Sequence, residues 1–172
     1  IPKLNWADQR SPYPISGEQE ALLMKYLSDE LQLLTVWLLN TGLRTQELLN
    51  LRWSWKHYYE DSGLQVFHIP GAYTKNKQDS VLVLNSLREK QLETMSKSNS
   101  DLVFPGKNGG KRAGILTTCW KRARSKAADE CEEIYGRESD WGFRNLRVHD
   151  LRHTFATRLR RLGVSNEVRK DL

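Results

Sequence analysis

Residues 30–40, ELQLLTVWLLN, are apolar nearly all the way round a helical wheel. A helix of that kind has no solvent face to present, so the rest of the chain must wrap it. Gly42 follows as the expected C-cap. Residues 45–51 then read as a shorter helix, capped by Thr45 and carrying Leu48, Leu49 and Leu51. Upstream, Ser16 with Gln19 three residues on forms a capping box. Leu22, Leu23, Tyr26 and Leu27 follow it at helical spacing. The most apolar stretch, 31–39, is too short to cross a membrane and is broken by Gln32 and Thr35. A chain of 172 residues is long enough to bury one core without covalent staples.

The pattern changes after Trp53. Residues 64–69 alternate as a strand does, and residues 81–84 form a second short apolar run. A first strand is expected at 57–60. Between the later two strands, residues 71–80 are polar and turn-like. Helical spacing returns at 86–95, with Leu87, Leu92 and Met95 on one side. Residues 101–104 are a short extended piece, and residues 107–112 form a basic glycine loop. A long helix is expected over 116–135 and a connector over 141–146. Another helix covers 149–162, with Leu151, Phe155, Leu159 and Leu162 spaced for burial. Ser165 caps a last one. Residues 1–14, with three prolines, read as a linker or strap that enters the domain. Together these predict an α+β fold, mainly helical, with a small antiparallel sheet of about three strands.

Lys+Arg number 27 against 21 Asp+Glu, a net charge of +6, which suits a polyanionic partner such as nucleic acid. Disorder is excluded by the apolar and aromatic content. No apolar segment opens the chain, so no secretory signal is visible. The absence of an initial Met makes a fragment or processed product the expectation. Cys119 and Cys131 have no CxxC spacing and read as reduced thiols in a cytosolic protein.

Three constellations carry chemistry. In TGLRTQELLNL, residues 41–51, Arg44 and Glu47 stand three apart and share a helix face. They suit either a surface ion pair or an arginine fork holding an anion. In HDLRHTFATRL, residues 149–159, His149 lies three residues before Arg152 and four before His153. The two histidines resemble a zinc-binding HExxH, but the glutamate is missing and Arg152 would repel a cation. A histidine beside an arginine instead suits an anionic substrate that needs proton transfer. In YTKNKQDSVLVL, residues 73–84, Lys75 sits in the turn between two strands. It is either a solvated loop lysine or a cation reaching into a cleft. GKNGGKR, residues 106–112, is not a P-loop, and no nucleophile elbow or two-metal carboxylate cluster is present.

Taken in order, these three pieces resemble the catalytic domain of the tyrosine recombinases, the phage-integrase family. The resemblance covers residue 16 to the end, and HDLRHTFAT is its most specific part. It implies cutting and rejoining of double-stranded DNA through a 3′-phosphotyrosyl link, with no metal, cofactor or ATP. By motif, Arg44 and Arg152 would clamp the non-bridging oxygens of the scissile phosphate. Lys75 would protonate the leaving 5′-oxygen, and His149 would assist proton transfer at the nucleophile. Glu47 and His153 would support them. Lys107, Lys111, Arg112, Lys121, Arg122 and Arg124 are expected to track the DNA backbone beside the same cleft. Family members also imply a homotetramer on DNA, and a cytoplasmic, bacterial or phage-encoded protein.

The chain departs from the family pattern in two ways. Trp53-Ser54-Trp55 places a tryptophan where the family often has an acidic residue. The family's nucleophilic tyrosine follows the second arginine box, whereas Tyr13, Tyr26, Tyr58, Tyr59, Tyr73 and Tyr135 all precede it. The expectation is therefore a catalytic domain cut short before its nucleophile, lacking the N-terminal clamping domain and inactive alone. A non-catalytic DNA-binding relative and a type IB topoisomerase-like enzyme are the alternatives.

Overall fold

The computed structural model describes residues 10–95, 100–115 and 117–171. Helix α1, Gly17–Tyr26, starts at the expected capping box. The Ser16 side chain accepts from the Gln19 amide, and the Gln19 side chain accepts from the Ser16 amide. Helix α2, Asp29–Thr41, buries Leu31, Leu34, Trp37, Leu38 and Leu39, as its all-round apolar pattern requires. Gly42 ends it in the left-handed conformation at φ 66°. Helix α3, Thr45–Leu49, is shorter than expected, and its N-cap is Arg44 in place of Thr45. The cause is Glu47, whose carboxylate takes the Arg44 amide and so moves the helix start back one residue.

Strands β1 (Lys56–Tyr59), β2 (Leu64–Ile69) and β3 (Ser80–Val83) form an antiparallel sheet in the order β1-β2-β3. Phe67 pairs with Lys56 on one side and Leu82 on the other, and turns into the core with Ile69. Helix α4, Ser86–Thr94, is capped by Asn85. It buries Leu92 but leaves Leu87, one of the three residues expected inside, 65% exposed. Residue 87 lies in the first turn of that helix, beyond the reach of the core.

Helix α5, Thr118–Tyr135, is capped by Thr117; its expected start at Leu116 lies outside the described residues. The expected connector contains a short helix α6, Trp141–Arg144. Helix α7 is Asp150–Arg161 and α8 is Asn166–Asp171, with the Ser165 hydroxyl accepting from the Val168 amide. Packing of α1 on α5 and of α2 on α7 builds the core around Trp37, Trp120, Phe67 and Phe143, all fully buried.

In α7 the inward positions belong to Asp150, Leu151 and Thr154. Leu162, expected to be buried, is 79% exposed because the helix ends at Arg161 and Gly163 turns the chain away at φ 79°. The polar pair faces inward because the segment entering the domain is bound there. The Ile15 amide donates to Thr154 Oγ1 at 3.1 Å, and the Tyr13 amide to Asp150 Oδ1 at 3.3 Å. Residues 1–9 of the expected strap lie outside the described residues.

Candidate functional site

The two arginine boxes meet at the end of α2. After Gly42 the chain runs through buried Leu43 to Arg44, at the start of α3. One Glu47 oxygen accepts the Arg44 amide at 2.8 Å and the other accepts its guanidinium at 2.9 Å. Glu47 is only 6% exposed, so this is no ordinary surface pair. A single buried carboxylate fixes both the backbone and the side chain of Arg44. From the opposite side, Arg152 of α7 donates to the Gly42 carbonyl. A Cβ at Gly42 would fall 2.3 Å from a ring carbon of Phe155, which explains the glycine as well as its φ does.

Arg44 stands between two adjoining cavities. The larger, about 660 Å³, is lined by Arg44, Lys75, Lys111 and His149, with Tyr73 and Asn50. The smaller, about 370 Å³, is lined by Arg44 and Arg152 together with Thr74 and Asn76 of the β2–β3 connection and Ser80 at the start of β3. Residues on α3, the β2–β3 loop, the glycine loop and α7 are therefore brought together, although 108 positions separate Arg44 from Arg152.

The electrostatics of the site favour an anion. Burial, followed by the charge of Arg44, pulls the pKa of Arg152 below the usual arginine value, with Glu47 opposing. His149 is exposed overall, but desolvation of its ring lowers its pKa, and the positive charges of His153, Arg152 and Arg147 add to that. Its ring meets His153 edge to face at 4.9 Å. Two guanidinium groups, Lys75 and Lys111 thus surround space lined by two carboxylates: Glu47, which is bound to Arg44, and, in the smaller cavity, Asp79, which is bound to the Gly71 amide. Bound negative charge would relieve the repulsion between Arg44 and Arg152.

The six basic residues expected along the DNA path separate into distinct environments. Lys111 lines the larger cavity. Lys107, Lys121 and Arg122 are exposed. Arg112 is bound to the Glu30 carboxylate and, at 3.0 and 2.9 Å, to the Pro105 carbonyl, so it braces the glycine loop against α2. Arg124 donates to the Leu146 carbonyl at 2.8 Å, and burial lowers its pKa.

Asp150, between His149 and Leu151, was not singled out by sequence reasoning. It is fully buried and accepts from the Arg147 amide and guanidinium, both at 2.9 Å. Arg10 lies 3.5 Å away. Burial alone would raise its pKa, but the hydrogen bonds from Arg147 and Tyr13 outweigh it and leave the carboxyl below its usual range. Hydropathy assigns an aspartate at a helix start to solvent. The one available signal was Arg147 three residues earlier.

A mainly helical domain with a three-stranded antiparallel sheet, and an arginine from each of two separated boxes at one site, is the tyrosine-recombinase catalytic fold. The model of the phage integrase family matches residues 15–171, and the chain belongs to that family. Among solved structures, the Tn1549 transposon integrase in complex with transposon right end DNA superposes with a TM-score of 0.65 at 18% identity, over 95% of this chain and 58% of that one. The XerH site-specific recombinase bound to palindromic difH substrate gives 0.56 at 19% identity, over 93% and 45%. A lambda integrase dimer bound to a COC′ core site gives 0.54 at 16% identity, over 96% and 59%. The chain thus spans about half the length of these proteins. A comparison with curated proteins gives no match.

Proposed function

We propose that this chain is the catalytic domain of a site-specific DNA recombinase that cleaves and rejoins double-stranded DNA through a 3′-phosphotyrosyl intermediate. A tyrosine oxygen attacks the scissile phosphorus, the bond to the 5′-oxygen breaks, and the phosphodiester energy is kept in the protein–DNA link. Attack of a 5′-hydroxyl on that link reverses the step on a partner strand. Neither metal nor ATP is required by this balance. The observation that supports the reading is that Arg44 lines two adjoining cavities, one with Lys75 and His149 and the other with Arg152.

Each role follows from the chemistry of its group. The phosphorane transition state gathers negative charge on its equatorial oxygens, and Arg44 and Arg152 are permanent cations suited to that charge. Lys75 gives a proton to the leaving 5′-oxygen, and His149 moves the proton of the attacking tyrosine. Glu47 holds Arg44 in orientation, and His153 does the same for His149. Lys111 contacts the DNA backbone beside the scissile phosphate, and Lys107, Lys121 and Arg122 extend that track. Residues 1–14 act as the strap into the domain. The working assembly is a homotetramer on DNA, in the cytoplasm of a bacterium or of a phage-infected host.

The nucleophile in this reading comes from outside these 172 residues. The hydroxyls of Tyr13, Tyr59 and Tyr135 are bound to Asp140, His68 and Glu18 respectively. Tyr73 is the tyrosine that lines the larger cavity. The test is a denaturing gel of labelled nicked duplex. The 172-residue chain should give no covalent adduct, and a form extended to include the family's tyrosine should give one that Arg152→Ala abolishes. An adduct from the short chain that disappears in Tyr73→Phe would overturn this placement. An extended chain that binds its site without forming an adduct would favour a non-catalytic relative.

A further inference from the structure

We propose that Trp55 and Tyr73 form a peg that positions Lys75, a proposal that rests on the reading of Lys75 as the acid for the leaving 5′-oxygen. The loop that carries Lys75 is stiff within itself. The Thr74 amide donates to the Gly71 carbonyl at 3.1 Å, and the Thr74 hydroxyl reaches the Gln78 carbonyl at 2.8 Å. Asp79 Oδ1 accepts from the Gly71 amide at 2.7 Å. A Cβ at Gly71 would meet the Lys77 carbonyl oxygen at 2.5 Å, so the two limbs of the loop are in direct contact. Such a unit moves as one body, and its orientation depends on what holds it to the domain.

Tyr73 supplies that hold. Its ring lies 4.9 Å from the Trp55 ring at an interplanar angle of 56°, two residues from Lys75. Trp55 is half-buried and packs on the hydrophobic core. The Arg52 guanidinium lies 5.7 Å from the Trp55 ring centroid and 5.8 Å from that of Tyr73, adding cation–π attraction to both. Arg52 is oriented in turn by Asp101 at 3.6 Å, whose carboxylate is fixed by the Ser54 amide at 2.9 Å and hydroxyl at 2.7 Å. Trp55 is the residue that stands where the family pattern often has an acidic side chain. In this chain that position holds the lysine loop through an aromatic stack. The Lys75 side chain has no hydrogen bond or ion pair among the described residues, so its place at the cavity depends on the loop that carries it.

A misplaced acid slows bond breaking without weakening the phosphate clamp. Displacement by about 1 Å costs on the order of 100-fold in rate. Lys75 is a proton donor only while the leaving oxygen needs a proton, so the effect of losing the peg should vanish with a sulfur leaving group.

The experiment has two parts. In the 172-residue chain, nitrogen-15 relaxation gives the backbone order of residues 73–77 for Trp55→Leu, Tyr73→Leu and Tyr73→Phe. Both leucine variants should lower the order parameter of Lys75 from about 0.85 to below about 0.6, leaving β2 and β3 unchanged. Tyr73→Phe, which keeps the ring, should match the unaltered chain. Tyr73 is 38% exposed, so its replacement decides the matter if Trp55→Leu does not fold. In the recombinase extended to its tyrosine, Tyr73→Leu should slow cleavage of ordinary DNA by about 10- to 100-fold and have less than about a twofold effect on a 5′-phosphorothiolate substrate. Unchanged order at Lys75 in Tyr73→Leu would overturn the peg, as would a cleavage defect that sulfur does not rescue while that of Lys75→Ala is rescued. If sulfur also fails to rescue Lys75→Ala, the acid assignment itself is wrong.

Discussion

Gly42→Ala tests whether the meeting of the two arginine boxes is as tight as the geometry requires. Two costs are expected. The left-handed backbone at φ 66° penalises a Cβ by about 1–2 kcal/mol. The new methyl would also stand 2.3 Å from Phe155 Cδ1 and 2.6 Å from Cε1, so the ring or the helix must shift. Overpacking of this kind costs about 1–3 kcal/mol, giving a total of about 2–5 kcal/mol. In a domain of this size that is a fall in Tm of roughly 4–20 °C. Gly136→Ala is the control. It has φ 61° but nothing within 4 Å of where a Cβ would stand, so it carries the backbone cost alone. Thermal and urea unfolding of both variants isolate the packing cost as their difference. Because Arg152 donates to the Gly42 carbonyl, the same shift should also weaken duplex binding by Gly42→Ala and leave that of Gly136→Ala intact. A Gly42→Ala variant no less stable than Gly136→Ala would refute the close packing of α2 against α7.

Further outcomes follow from the charges. Lys111→Ala should reduce the salt dependence of duplex binding by about 0.9 in slope, one phosphate contact, whereas Arg124→Ala should leave the slope unchanged because its guanidinium is bound to Leu146; equal slopes for the two variants would contradict this division. His149 has a folded-state pKa below its unfolded value of about 6.5, so it contributes stability that is full above pH about 6.5 and is lost as pH falls toward the folded pKa. Phosphate or DNA in the cavity should raise that pKa, and a His149 proton NMR titration that shows no upward shift would count against an anion at this site. Asp150→Asn should cost about 3–5 kcal/mol by leaving Arg147 and Arg10 without their buried carboxylate. Asp150 is lowered from its ordinary value, so its contribution is present above pH about 3.9 and fades as pH falls to the folded pKa. The variant should therefore lose part of the acid sensitivity of unfolding, measured by urea melts between pH 5 and pH 3.

The nearest-neighbour features of this chain were legible in its sequence. An apolar helical wheel over 30–40, a Ser–Gln capping box and alternating strands each depend on spacings of a few residues, and the backbone periods of 3.6 and 2 convert those spacings directly into faces. The arginine and histidine boxes were legible for the same reason, since each lies within one helix start. Burial at the ends of elements was not. Leu87 and Leu162 continue the apolar pattern of their helices but project beyond the core, and no local period records where a core stops. Partner choice among the charges was likewise decided only by tertiary structure. Glu30 and Arg112 are 82 positions apart, and Arg10 and Asp150 meet across nearly the whole domain. A guanidinium binds whichever carboxylate or carbonyl folding brings within reach, so the sequence supplied the basic residues and the packing of α2, α5 and α7 determined which of them still face the cavity.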